Sequence, residues 1–463
     1  MRTEEDSFGR IKVPSDAYYG AFTQRASLNF PISGIRFQED FIKAYAELKH
    51  SAVLANAKLG SVDPKKAKAI EKACKEVMSG RHYDQFIVDV VQAGAGTSTN
   101  MNLNEVIANR ALEMLGRRRG DYKTISPNDH VNMSQSTNDT FQSAAHIAAY
   151  TMIEDGLLGV LHDYQDAIEK KSKEFSRLMK SGRTHLMDAV PITLGQEFSG
   201  YSIEQEIINL KRTSHDLLYI SVGGTAVGTG LNTYPEFTRI FLKELNLTTG
   251  YYFMRARNRF SMTQNLSTIS EVSSSLKGIA LKLIKMANDI RLMSSGPHTG
   301  LSEITLPEVQ PGSSIMPGKV NPSMAEMLTM ACFQVIGYDE TITMAAQAGQ
   351  FELNVFGPIA IYDFLESIRI LTNSVRTFTD RCIRGIKPKR DKLTYYFEHS
   401  AAVATALSPK LGYRKTAELV KEAERRGISI RALVLEKKLL PKKELDGIFS
   451  PSRLTKPNLP LKK

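Results

Sequence analysis

From Ile269 onward, the apolar residues Ile269, Val272, Leu276, Ile279, Leu283, Met286, Ile290 and Met293 recur at alternating steps of three and four. That spacing keeps one apolar stripe on one face of a helix, as in a bundle seam. Similar patterning runs over about 139–180, 193–220, 323–349 and 357–384. Each segment is long enough to cross a small domain at about 1.5 Å per residue. The chain is therefore expected to be mainly α, with a central bundle of long helices. Five helices of this length form a bundle larger than one chain seals, so association as a homo-oligomer is expected.

Before about residue 137 the sequence predicts a mixed, mostly helical domain, with a short extended segment in "EDSFGRIKVPSDAYYG". The central bundle is placed at 138–390 and a small basic helical domain at 391–463, ending in the loose tail "SPSRLTKPNLPLKK". The net charge of +11 invites a nucleic-acid reading, but residues 381–463 hold 21 Lys/Arg against 8 Asp/Glu, which leaves the rest slightly acidic. No zinc-finger, homeodomain or RNA-recognition pattern accompanies the basic stretch, so no nucleic-acid partner is expected. A basic surface of this kind is a solvated face whose field draws anionic substrates.

No run of about 18 apolar residues suggests a membrane span, and "MRTEEDSFGR" has no apolar leader core. Cys74, Cys332 and Cys382 are odd in number and far apart. A disulfide framework is not expected, and the cytoplasm is the natural setting. There is no CxxC or HExxH spacing, so no resident metal is expected.

Between the helical segments lie polar, glycine-rich loops: "AGAGTSTNMN" (93–102), "NMSQSTND" (132–139), "SGRTHLMD" (181–188), "VGGTAVGTGLN" (222–232) and "GSSIMPGKVNP" (312–322). Rigid helices with such loops at their ends suit a site carried on loops. The loops offer Thr97, Ser98, Thr99, Asn100, Ser136, Thr137, Asn138, Thr184, His185, Ser313, Ser314, Lys319 and Asn321. Many neutral donors with one lysine and one histidine suit carboxylate groups. No GxxxxGK[ST] arrangement is present, which argues against a nucleotide. Plainer roles compete: Ser136 to Asp139 reads as a helix N-cap, and Pro322 followed by Ser323-x-x-Glu326 reads as a helix start with a capping box.

"GSSIMPGKVNP" resembles the signature of the fumarase/aspartase superfamily. "GAGTSTNMN", "SQSTND", "GRTHLMDAVP", "GTAVGTGLNT" and "GQFELNVF" match too, and the resemblance covers nearly the whole chain. It implies three mostly helical domains and a homotetramer whose long helices form a twenty-helix core, with each active site built from loops of three subunits. The family reaction is reversible elimination to release fumarate or a fumaryl product. "VPSDAYYG", "NFPISG", Ala95 in "GAGTS" and "SQSTND" lean towards the aspartase branch, with ammonia leaving L-aspartate. The fumarase branch, with water leaving L-malate, is the alternative. "NDTFQSA", Met187 and the Phe356-Gly357 pair depart from both patterns. Some members are structural lens proteins, which makes a non-catalytic role a distant third reading.

Matched residue by residue, the resemblance implies Ser313 as general base. Thr97, Ser136, Thr137 and Ser314 would hold the β-carboxylate, and Thr184, Lys319 and Asn321 the α-carboxylate. Asn138, His185 and Thr97 would contact the amino group, and Glu326 would orient His185. No cofactor is implied. Divalent-ion activation occurs among aspartases, and the sequence leaves it open.

Overall fold

A computed structural model describes residues 1–457 and is mainly helical. The expected seam lies on one helix, Ser267–Met293. All eight seam residues are buried, from Ile269 at 0% exposed to Met293 at 3%. Burying each such side chain is worth roughly 1.5–3 kcal/mol, so the periodic stripe makes a large contribution to the fold. Segments 323–349 and 357–384 form helices Ser323–Gln347 and Gly357–Arg381, but 139–180 forms Thr137–Met152 and Leu158–Glu174 and then enters a strand at Met179, and 193–220 breaks into the short helices Leu194–Ser199 and Glu204–Ser214.

The chain divides into two compact units. One comprises Met1–Gly159, Gln205–Ala280 and Phe333–Thr372. The extended segment expected near the N-terminus is an antiparallel hairpin, Arg2–Asp6 against Gly9–Val13. Helix Glu39–Lys58 is at the centre of this unit and packs on helices Pro64–Met78, Thr137–Met152 and Phe237–Thr249. Fourteen of its residues are buried, including Phe41, Tyr45 and Leu48, so it has almost no solvent face. The next helix starts where Asp63 accepts from the Lys65 and Lys66 amides at 2.9 and 3.1 Å, with Pro64 at the first position that needs no N–H.

The other unit comprises Val160–Glu204, Leu281–Cys332 and the chain from Asn373. It contains the antiparallel hairpin Met179–Thr184 and Met187–Thr193. Its C-terminal helices enclose a core that includes Val403, Leu407, Leu419, Leu433, Val434 and Leu445. The basic stretch thus has apolar residues enough for a core of its own. The expected loose tail begins instead with a short helix, Pro451–Leu454, and its last residues, 458–463, lie outside the described ones. Cys74, Cys332 and Cys382 are buried, and burial pushes each thiol up to about 12.

Candidate active site

In the first unit, the turn Gly94–Gly96 leads into helix Thr97–Met114. Ala95 and Gly96 have φ of 60° and 85°, and a Cβ on Gly96 would lie 2.4 Å from the Phe141 ring. Only glycine lets the backbone rest on that ring. The turn is also fixed to the "GQFELNVF" loop, because the Ala95 amide donates to the Val355 carbonyl at 3.0 Å. Thr97 is half-buried at the helix start, where free N–H groups favour an anion.

Ser136 caps helix Thr137–Met152, in agreement with the capping reading of that loop. The Ser136 amide donates to Asp139 Oδ1 at 2.9 Å. Asp139 Oδ2 accepts from the amides of Gly223 and Thr225 at 2.9 and 2.8 Å. Asn138 Nδ2 donates to the Ala226 carbonyl at 2.8 Å. One buried carboxylate thus joins the 132–139 loop to the 222–232 loop. Burial pushes Asp139 up to about 6, opposed by the backbone N–H donors on its oxygens.

Beneath these loops is a polar network that the sequence reading missed. Lys49, fully buried, donates from Nζ to Asn100 Oδ1 at 2.7 Å and to Asn132 Oδ1 at 2.9 Å. Tyr45 Oη donates to the same Asn100 oxygen at 2.8 Å, and Asn100 Nδ2 donates to Thr137 Oγ1 at 2.9 Å. Burial pulls the Lys49 ammonium down to about 7, against the pull of Asp139. The sequence carries little signal for it, because Lys49 stands beside Glu47, His50 and Ser51 on a helix with polar residues on several faces.

In the second unit, Thr184 pairs with Met187, which leaves His185 and Leu186 as a two-residue turn. Both have positive φ, 56° and 61°. Hairpin turns of this kind favour Asn or Asp followed by Gly. A residue with a Cβ pays on the order of 1–2 kcal/mol in the left-handed region. Thr184 and His185 are exposed, as are Leu186 at 74% and Met187 at 70%.

The loop 312–322 closes on itself. The Gly312 amide donates to the Lys319 carbonyl at 2.8 Å, and Asn321 Nδ2 donates to the Gly312 carbonyl at 2.7 Å. A Cβ on Gly312 would meet the Lys319 carbonyl oxygen at 2.4 Å, so the closure requires glycine. Ser313 Oγ accepts from the amides of Ile315 and Met316 at 3.2 and 3.0 Å. Ser313 and Lys319 line one hollow together with Glu308, Pro311 and Gly318. Ser314 and Lys319 are exposed. Helix Ser323–Gln347 starts where the patterning placed it, with Pro322 just before it and Ser323 as its first residue. Ser323 Oγ is buried without a partner, so the capping box with Glu326 does not form.

The expected residues therefore fall into two sets. Thr97, Ser136, Thr137 and Asn138 belong to the first unit; Thr184, His185, Ser313, Ser314, Lys319, Asn321 and Glu326 belong to the second. Among the described residues, no hydrogen bond or ion pair within the chain joins His185 to Glu326. The first set presents hydroxyls and amides on a buried frame. The second presents a serine oxygen faced by two N–H groups, in a hollow that a lysine also lines.

Residues 9–337 match the model of the lyase family, and residues 403–456 match that of the fumarase C C-terminus. The aspartate ammonia-lyase of Bacillus subtilis is 47% identical over 460 residues, 99% of this chain and 97% of that protein. The chain belongs to the fumarase/aspartase lyase family. A class II fumarate hydratase of Helicobacter pylori is 44% identical over 99% of both chains. The solved structure of a Brucella melitensis protein, described as fumarate lyase:delta crystallin, superposes with a TM-score of 0.93 at 42% identity, covering 98% of this chain and all of that one. The residues that the resemblance implies for the site lie on the loops over the buried Lys49 and Asp139 frame, on the 184–185 turn and on the self-closed 312–322 loop with the helix after it. Ser313, Lys319 and Asn321 are all present.

Proposed function

We propose that the chain is an aspartate ammonia-lyase, a carbon–nitrogen lyase that reversibly eliminates ammonia from L-aspartate to give fumarate. The observation that carries this reading is the setting of Ser313, whose oxygen faces two backbone N–H groups in a hollow shared with Lys319. A serine hydroxyl is a poor base and must act as an alkoxide. The two backbone N–H donors stabilise that charge, and the Lys319 side chain lining the same hollow adds positive potential. The 47% identity to an aspartate ammonia-lyase supports ammonia as the leaving group.

In this reading, the Ser313 alkoxide takes a proton from Cβ, and the electron pair collects on the β-carboxylate as an aci-carboxylate. Thr97, Ser136, Thr137 and Ser314 donate to that charge. Thr184, Lys319 and Asn321 hold the α-carboxylate, and Asn138, His185 and Thr97 contact the amino group. The pair then returns to form the Cα–Cβ double bond as the C–N bond breaks and ammonia leaves. Glu326 orients His185. Base and charge-stabilising groups all come from the chain, so no resident cofactor is invoked.

Convergence of the two sets is proposed to occur between copies, in a homotetramer with shared active sites. Apolar side chains left in solvent support this: Met330 is 64% exposed, Phe333 59% and Met344 56% on helix Ser323–Gln347, and Ile315 is 83% exposed on the 312–322 loop. Sedimentation at four times the 51.5 kDa chain mass is the expected result, and a monomer at assay concentration would contradict it. No helix among the described residues is long and apolar enough to cross a membrane, which fits the proposed cytoplasmic setting.

The deciding experiment follows the ultraviolet absorbance of fumarate with L-aspartate and, separately, L-malate. Release from aspartate is expected. Release from malate alone would establish the fumarate hydratase reading, which the 44% identity to a class II fumarase keeps as the alternative.

A further inference from the structure

We infer that Glu303 is a positioning residue for His185, holding the His185–Leu186 turn in its left-handed form through Arg183 and Lys180. The inference rests on the assignment of His185 to the substrate site. The turn needs support from outside, because it carries no glycine and its second residue, Leu186, is one that the left-handed backbone disfavours. The tip offers none. Residues 184–188 are exposed, and among the described residues neither the Thr184 hydroxyl nor the His185 ring has a hydrogen-bond partner within the chain.

Support comes from the base of the strand. Arg183 Nη1 donates to Glu303 Oε1 at 2.8 Å, and Lys180 Nζ donates to Glu303 Oε2 at 2.8 Å. Lys180 also pairs with Glu197. The Glu303 side chain is 0% exposed and that of Lys180 is 1%. Glu303 is itself fixed by its backbone: its amide donates to the Met293 carbonyl at 2.8 Å, and its carbonyl accepts from the Lys389 amide at 2.9 Å.

The strand is irregular at this point. Between Ser181 and Gly182 the pairing shifts register, with Val190 as the extra residue on the facing strand, and such a bulge bends and twists the pair locally. One carboxylate engages both cations through its two oxygens, Oε1 to Arg183 and Oε2 to Lys180. The shift requires glycine, since a Cβ on Gly182 would lie 2.7 Å from the Val190 carbonyl oxygen. Arg183 immediately precedes Thr184, so its buried anchor sets the direction in which the strand enters the turn. A buried carboxylate shared by two cations is costly to build and disruptive to break. Here it is placed two residues from a substrate contact rather than deep in the bundle.

The test uses the full-length protein with Glu303→Gln, Leu186→Gly and the double variant, assayed well below their melting temperatures. Glu303→Gln is expected to lower kcat roughly 10–100-fold and to raise KM several-fold, because misplacing a substrate contact costs orientation. Leu186→Gly alone should change kcat less than about 3-fold, and in the double variant it should recover most of the loss, because glycine takes the left-handed conformation freely. The His185 ring resonance, assigned with His185→Gln, should shift in Glu303→Gln and return in the double variant. If Glu303→Gln fails to fold, Arg183→Lys is measured in the same way, with the same outcomes expected. A variant that loses only thermal stability, or a loss that Leu186→Gly does not suppress, overturns the inference. The resonance needs no turnover, so a wild-type protein inactive on aspartate refutes the proposed reaction and leaves the clamp to be judged by the spectra.

Discussion

The Lys49 ammonium donates to the Asn100 amide oxygen at 2.7 Å in a site with no solvent access, and the other end of that amide donates to Thr137. A hydroxyl at the proposed substrate site is thus two bonds away from a buried charge. Lys49→Met keeps much of the volume but removes the charged donor to Asn100 and Asn132, whose oxygens keep only the neutral donors Tyr45, Asn100 and Asn104. A hydrogen bond to a charged group is worth about 1.5–3 kcal/mol. Thermal denaturation should show a clear loss of stability, and kcat for aspartate should fall at least 10-fold. Full activity in a folded Lys49→Met protein would mean that the network is dispensable.

Removing the proposed base is the most direct test of the chemistry. Ser313→Ala should lower kcat by about 10²–10⁴-fold, the usual worth of a positioned base. Binding of a non-reacting dicarboxylate, followed by calorimetry, should change little. Wild-type turnover in this variant would rule out Ser313 as the base.

Gly96 tests the contact between backbone and ring. Its φ of 85° and the 2.4 Å approach of a Cβ to Phe141 oppose any side chain. Gly96→Ala should cost at least 1–2 kcal/mol from the conformation alone, visible as a lower denaturant midpoint. Because the turn ends at Thr97, KM for aspartate should rise as well.

Acid sensitivity is expected at Glu76. Bonds from Arg110, assisted by His82, pull its carboxylate from an ordinary 4.5 down to about 2. A depressed carboxylate contributes stability that is fully present above pH 4.5 and is lost as pH falls towards 2. Glu76→Gln should therefore melt below wild type at neutral pH, with the gap narrowing as the buffer is taken down towards pH 3. A gap that stays constant would place the Arg110 contribution elsewhere.

The seam from Ile269 to Met293 was legible because a buried helix face imposes a period on the sequence. The loops were legible because Gly, Ser, Thr and Asn concentrate where a backbone must turn and donate. What escaped shares one cause: its partners lie far apart in sequence. Lys49 reads as an ordinary helix lysine until Asn100 and Asn132 are brought over it. Asp139 reads as a cap residue, and two of the three amides on its carboxylate belong to residues 223 and 225, which carry no side-chain signature. The His185–Leu186 turn has neither Asn nor Gly to announce it. The Ser323–Glu326 box was a local pattern that the fold left unused.

Asp139 has a last consequence. The 222–232 loop keeps its shape through two amides held by an acid borrowed from another helix, so its conformation is not encoded within its own eleven residues. Transplanting that loop into a related scaffold, for instance to redesign the choice of leaving group, would move the letters without the geometry. The start of helix Thr137–Met152 has to travel with it.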